Sequence, residues 1–389
     1  MIIMTVGVAS LVVWFYLLLG RGGFWRGAEL IEAVGGENER RSEGHWPPVT
    51  AIMPARDEAE VIGQSIASLM RQDYPGPFSV MVVDDQSSDG TASAARRAGE
   101  EGPLTVLEGQ SPPAGWAGKV WAMRQGVAAA GAGPDSPDYL LFVDADIVLE
   151  AGLLRRLVAF AQTNRAILAS LMVKLRCESR AERWLVPAFI FFFQMLYPFS
   201  WVDDPRRKTA AAAGGCMLVH RQSLAEAGGL EALRGALIDD CALAALMKRR
   251  GQIRLALTRH ALSLRSYLSF ADFGRMVARS AFAELRFSAP RLIIAIAAMG
   301  FVFLAPPLLA VFSRGAPQAF GAAAWAIMGL VYAPTLRLYG RPVLAGLALP
   351  AVAAAYTLFT IRSAAQYWTG RGGLWKGRVQ APMPKAERA

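Results

Sequence analysis

Cysteine is scarce. The 389-residue chain holds three, Cys177, Cys216 and Cys241, with no close pairing and no metal-ligand spacing. An odd set of three argues against a disulfide-stapled scaffold and agrees with a reducing compartment. Charge is missing in blocks: residues 1–20, 292–313, 315–336 and 342–361 contain no Asp, Glu, Lys or Arg. Each block is long enough to cross about 30 Å of hydrocarbon as a helix. Together they explain a hydrophobic share of 54% and a mean hydropathy of +0.30, both high for a soluble protein. No nucleic-acid module is recognisable. The net charge of +10 is accounted for by Arg and Lys that flank membrane segments and touch anionic lipid.

What lies between the first and second blocks has ordinary globular composition. The first block lacks a basic n-region, and Arg21 and Arg26 follow it. That favours an uncleaved anchor over a cleaved signal peptide and keeps the next domain in the cytoplasm. The expected organisation is an anchor at 1–20, a linker at 21–47, a cytoplasmic domain at 48–290, membrane helices at 291–362 and a basic tail at 363–389.

Within the domain, short apolar runs alternate with helical patterns. Val49–Met53, Phe78–Val83, Leu104–Leu107 and Tyr139–Val143 read as strands, and 59–70 and 119–130 as helices. Such alternation predicts an α/β fold with a doubly wound, mostly parallel sheet. Three strands run into polar loops: Pro54-Ala55-Arg56-Asp57-Glu58, Asp84-Asp85-Gln86-Ser87-Ser88-Asp89 and Asp144-Ala145-Asp146. In a parallel sheet these ends share one edge, where ligands of open sheets bind. Hard carboxylate oxygens there suit a divalent cation carrying a diphosphate. Any one loop alone would pass for a solvated turn, with Asp favoured for local hydrogen bonds; three on one edge would not. Further on, Gly214 and Gly215 precede a strand-like run to His220, whose ring is expected to be structural. Asp239 and Asp240 stand before a helix, where a plain N-cap is the competing reading. Residues 184–201 form an uncharged aromatic patch bounded by tryptophans, which fits an interfacial segment that brings the cleft to the bilayer.

The loops in this order resemble the family 2 (GT-A fold) glycosyltransferases over residues 48–290. Pro54 to Glu58 is similar to that family's Pro-x-[Arg/Tyr]-[Asn/Asp]-Glu loop. Val83 to Gly90 is similar to Val-[Asp/Asn]-Asp-x-Ser-x-Asp-Gly, and an Asp-x-Asp and a later acidic pair follow. A finer likeness, to the hopene-associated glycosyltransferases, rests on Pro113 to Ala122, on Ser263-Leu-Arg-Ser-Tyr267 and on the late membrane segments. The resemblance implies a nucleotide-sugar donor, UDP- or GDP-linked, and a lipid acceptor, a hopanoid in the finer likeness. It implies Asp57 or Glu58 and Asp85 on base and ribose, Pro54, Ala55 and Arg56 also in the nucleotide-sugar site, and Lys119 on the diphosphate. Asp146 would ligate Mg2+ or Mn2+, with Asp144 touching the sugar or sharing the metal. Gly214 and Gly215 would line the acceptor side. Asp240 would take the acceptor proton, oriented by Asp239, in a direct displacement with inversion. Trp116 and Trp121 could floor the sugar or merely pack. The family's Gln-x-x-Arg-Trp motif is absent; Arg275-Met-Val-Ala-Arg279 stands in its place, with Arg279 the candidate diphosphate contact. That absence counts against a processive polymerase.

The location implied is a bacterial-type inner membrane, multi-pass, with the catalytic domain in the cytoplasm. The tail is harder to place. Three spans after residue 291 would put it outside, yet Arg362, Arg371, Lys376, Arg378, Lys385 and Arg388 are an inside signature. Trp375-Lys376-Gly377-Arg378 is similar to a motif that related lipid-modifying transferases carry after their membrane helices. Either 292–313, with Pro306-Pro307, or 315–336, with Pro317 and Pro334, is re-entrant, or all three cross and the tail charges lose. The expectation is three late membrane helices and a cytoplasmic tail.

Overall fold

Eight strands form one mixed sheet in the order β3-β2-β1-β4-β7-β6-β8-β5. They are β1 (Val49–Ala55), β2 (Phe78–Asp84), β3 (Leu104–Glu108), β4 (Tyr139–Val143), β5 (Ile147–Leu149), β6 (Ala166–Lys174), β7 (Cys216–His220) and β8 (Gln252–Ser263). The computed structural model describes residues 1–27, 30–32, 46–100, 102–132, 136–376 and 378–379. Most of the expected linker, and the tail from residue 380, lie outside the described residues.

Strands β1 to β4 pair in parallel, as the alternation of strands and helices predicts. Both faces of this half are covered, so its strands can be apolar throughout. Ile52, Leu140 and Phe142 enter one core; Ala51, Met53, Leu141 and Val143 enter the other, on the opposite face. The second half mixes directions. β7 runs antiparallel to β4 and β6, β8 runs parallel to β6, and β5 runs antiparallel to β8. The ends of β1, β4, β6 and β8 and the starts of β5 and β7 therefore meet at one edge.

Among the described residues, four helices are long and apolar enough to cross a membrane: Ile2–Gly20, Ala289–Phe312, Ala316–Leu338 and Val343–Trp368. The first three pack together. Gly7 lies against Pro317 and Phe320, and the Trp14 indole N–H donates to the Val302 carbonyl at 2.8 Å. Their other ends meet the sheet domain, where Arg21 donates to the Met195 carbonyl and Leu175 N–H donates to the Tyr339 hydroxyl.

The fourth helix behaves differently. Gly346, at its start, packs on Gly329, and Trp325 donates to the Leu347 carbonyl. Gly329 lies ten residues before Tyr339, or about 15 Å along a helix axis. From that depth the helix climbs back along Phe270–Glu284: Phe359 meets Gly274, and Ser363 accepts from Phe282 N–H at 3.0 Å. If one late stretch does not cross, this packing makes 342–361 the candidate, where the sequence offered 292–313 or 315–336. The prolines of the earlier stretches stay inside continuous helices, while Gly346 allows the close approach to Gly329 that the turn needs.

Residues 184–201 make most of the helix Arg180–Leu196 and the start of Phe199–Asp203. Phe191 packs on Tyr332, and Phe192 on Phe303 and Tyr356. The aromatic patch is the joint between the sheet domain and the membrane-length helices, and most of it is covered by protein.

Candidate active site

The β4–β7 register sets the centre of the cleft. Val143 pairs with Cys216, and the next residue, Asp144, donates its N–H to the Gly215 carbonyl at 3.3 Å. The chain turns back at once into β5, whose Ile147 pairs with Ser263 at the end of β8. Asp146, between them, receives the Ser263 hydroxyl at 2.8 Å and Arg265 Nε at 3.3 Å on one carboxylate oxygen.

Lys119 is the second residue of the helix Gly118–Ala130. Its ammonium sits 2.8 Å from Asp144 Oδ1 and 3.3 Å from Asp239 Oδ2. Burial opposes its charge, but Asp144 and Asp239 outweigh that and hold its pKa above the ordinary lysine value. Asp144 is pushed the other way, upward, by burial and by Asp146 and Asp239, which Lys119 only partly offsets. Asp239 and Asp240 are the first two residues of the helix Asp239–Lys248, so they occupy its first turn and do not precede it. Asp240 Oδ2 accepts the Gly214 N–H at 2.9 Å and Oδ1 accepts the Cys241 N–H at 2.7 Å. Burial and the Asp239 charge push Asp240 up to about 6.

A cavity of about 590 Å³ joins these groups. Pro54, Arg56, Glu58, Lys119, Asp144, Asp146, Gly214, Gly215, Asp239, Asp240 and Arg279 all line it. Ala55, Asp57 and Asp85 do not. Asp85 is fully buried, with its carboxylate 3.9 Å from Arg56 and its carbonyl accepting from the same guanidinium. Asp57 accepts the Ser88 N–H at 2.8 Å, while Asp89 accepts from Ala59 and Thr91. These carboxylates lock the first two loops together and act from behind the cavity wall. Asp89 thereby caps the helix Thr91–Ala98 from outside, since its N-cap position is Gly90 with φ at +89°.

Trp116 and Trp121 stack edge to face with ring centres 5.1 Å apart, and Trp121 donates to the Gln110 carbonyl. Neither lines the cavity; they pack. His220 accepts the Ser223 N–H and caps a short helix, as expected. All three cysteines are free.

The family model described as glycosyltransferase-like family 2 matches residues 47–268, more than half of the chain. The chain belongs to this family. It is a glycosyltransferase, and its mixed eight-stranded sheet is GT-A-like. The mannosyltransferase PcManGT of Pyrobaculum calidifontis, solved with GDP-Man and Mn2+, superposes with a TM-score of 0.51 at 20% identity. The match covers 94% of this chain and 98% of that one, and it shows the fold. The 4,4'-diaponeurosporenoate glycosyltransferase of Staphylococcus aureus (strain USA300) is 37% identical over 100 residues. That stretch is 25% of this chain and 24% of the relative.

Two groups in this glycosyltransferase's cleft were not assigned from sequence. Arg265 bridges Asp146 and Glu58; burial lowers its pKa, but those two carboxylates outweigh that and raise it. Lys376, from the tail, also lines the cavity and pairs with Glu58 at 3.0 Å. Each of these contacts spans more than a hundred residues of chain, so no local spacing signals them.

Proposed function

We propose that this glycosyltransferase is membrane-bound and inverting, and moves a sugar from a nucleoside-diphosphate sugar to a lipid. The observation that carries the reading is one cavity with a mixed lining. The charged groups Lys119, Asp144, Asp146, Asp240 and Arg265 share it with the apolar Met172, Leu175, Phe189, Phe193 and Met276. Part of the apolar lining comes from the helices Arg180–Leu196 and Phe270–Glu284, which pack on the membrane-length helices. A lipid could therefore present its head group without leaving the bilayer surface. The finer resemblance in sequence points to a hopanoid head group.

Asp240, with a pKa near 6, is mostly ionised at neutral pH and still basic enough to accept a proton. Its helix N-terminus and two backbone N–H partners fix its direction. It would take the acceptor hydroxyl proton as that oxygen attacks the anomeric carbon and the bond to the diphosphate breaks. A single base and a single displacement invert the anomeric centre. Lys119 and the N-terminus of its helix would hold the leaving diphosphate. Pro54, Arg56 and Glu58 form the donor-side wall, braced by Asp57 and Asp85.

Among the described residues, no three His, Cys, Asp or Glu side chains converge as a ligand set. Asp144 and Asp146 do fit Mg2+ or Mn2+, which bind enzymes through one or two carboxylates plus substrate phosphates. Held there, the ion would offset charge on the departing diphosphate.

A second reading, transfer to a polyprenyl phosphate, draws on Arg275 and Arg279 lining the same cavity. The test is an assay of the purified full chain with labelled UDP- and GDP-sugars, Mn2+ and three acceptor pools: a hopanoid-containing lipid extract, polyprenyl phosphate and none. Label in the organic phase with the extract supports a neutral lipid, and with polyprenyl phosphate the second reading. Nucleotide release without any lipid product would overturn the lipid acceptor.

A further inference from the structure

Lys376 is far from the cleft in sequence but forms part of its wall. The last membrane-length helix ends at Trp368, and the chain then makes a small hairpin in which Arg378 pairs with Trp375. Lys376 stands at its turn, with φ at +46°. Its Nζ donates to the Asp57 carbonyl at 2.7 Å and pairs with Glu58 Oε1 at 3.0 Å, and its own carbonyl accepts from Arg56 Nε at 3.4 Å.

Three observations together say more than a surface ion pair would. First, Glu58 Oε1 is shared between Lys376 and Arg265. Arg265 also has Asp146, whereas Glu58 is the one carboxylate that pairs with Lys376 among the described residues, so Lys376 holds only a share of its counter-charge. Second, an ammonium group has three donors, and among the described residues Lys376 has only the two partners named. Third, Asp57 and Gln86, which touch the same Arg56, have φ at +49° and +57°. Together with Lys376 they make a cluster of left-handed, non-glycine backbone, the kind of strain that collects at ligand clamps.

We infer that Lys376 is a donor-binding residue: the tail closes the donor end of the cleft and supplies a cation to the diphosphate of the bound nucleotide sugar. This rests on the donor reading above. Lys119, from the helix Gly118–Ala130, and Lys376, from the hairpin, line the same cavity, so the diphosphate would be held by two cations from separate segments.

The test is calorimetry on the full chain in detergent with Mn2+, using UDP, GDP, uridine and guanosine as probes. Wild type, Lys376→Gln and Lys376→Arg are compared, with melting temperature as a check on folding. Loss of one charge-assisted contact should weaken diphosphate binding about 10-fold in Lys376→Gln, with Lys376→Arg within about 3-fold of wild type. Nucleoside affinity and melting temperature should hold. Unchanged diphosphate affinity would overturn the inference. Equal weakening for nucleoside and diphosphate would also overturn it, leaving Lys376 as a brace for the loop. If wild type binds neither UDP nor GDP, the donor reading itself fails.

Discussion

Asp240 is held by two backbone N–H groups, which favour its ionised form, and by burial and Asp239, which oppose it more strongly. The balance is directly testable. Asp240→Asn keeps the shape but cannot take a proton, so transfer should fall by about 10²-fold or more, with nucleotide affinity retained. Near-wild-type turnover would remove Asp240 from the role. The pH dependence has a definite sign. The base works deprotonated, so kcat/KM should fall with unit slope as pH drops below about 6. Stability runs the other way: a raised carboxylate pKa means the folded state binds the proton more tightly, so stability is lost as pH rises from about 4 through about 6. Asp146→Ala should abolish the dependence of donor binding on Mn2+, measured as the change in affinity on adding EDTA; full activity in excess EDTA would contradict the metal role.

At the scale of elements, the acids of the first three loops were legible because each loop follows a strand, and strand ends in a parallel sheet share an edge; Asp239 and Asp240, which open a helix, stood out only as an acidic pair. The short apolar runs before those loops were legible because both faces of β4 and β1 are buried. Arg265 was not legible. It enters the cleft through antiparallel pairing of β5 with β8, and that register depends on a turn at Asp144–Asp146, not on any spacing within β8. Asp85 was placed correctly as a loop residue, but its burial under Arg56 follows from packing between two loops, which a motif does not encode. Gly214 has an element-level reason. A Cβ there would lie 3.1 Å from Asp240 Oδ2, so the β7 approach and the helix Asp239–Lys248 can come this close only at glycine. Gly214→Ala should push the base aside by a few tenths of an ångström. We expect turnover to fall about 10-fold, on the scale by which misplacement of this order slows catalysis, while nucleotide affinity by calorimetry is unchanged. At the neighbouring Gly215 an added Cβ would also come to 3.1 Å, but of a Val173 methyl and not of the base, so Gly215→Ala should cost far less turnover. Equal losses in both variants would point to general loosening of the sheet edge.

At the scale of the whole molecule, the tail and the cleft constrain how the chain threads a bilayer. Lys376 touches Glu58, so the tail lies on the same face as the catalytic cleft. Three full crossings after residue 288 would place it on the other face. The fourth helix resolves the conflict, because it starts beside Gly329 and Trp325 and returns along Phe270–Glu284 without reaching Ser313. Its exposed backbone turn is covered by the helix Ala316–Leu338, the condition under which a broken segment is tolerated at membrane depth. We propose three crossings and one re-entrant hairpin, which would put Met1 and Arg314 on one side, and the cleft, Arg341 and Lys376 on the other. With the cleft facing the cytoplasm, where nucleotide sugars are found, Arg341, Arg371 and Lys376 would obey the positive-inside rule. The check uses a variant without the three native cysteines, given one new cysteine at Arg314 or at Arg371, both exposed. On intact cells a membrane-impermeant thiol reagent should label Arg314→Cys, and should label Arg371→Cys only after permeabilisation. Labelling of Arg371→Cys from outside would mean that the last helix crosses completely, and would separate Lys376 from the cleft in the membrane.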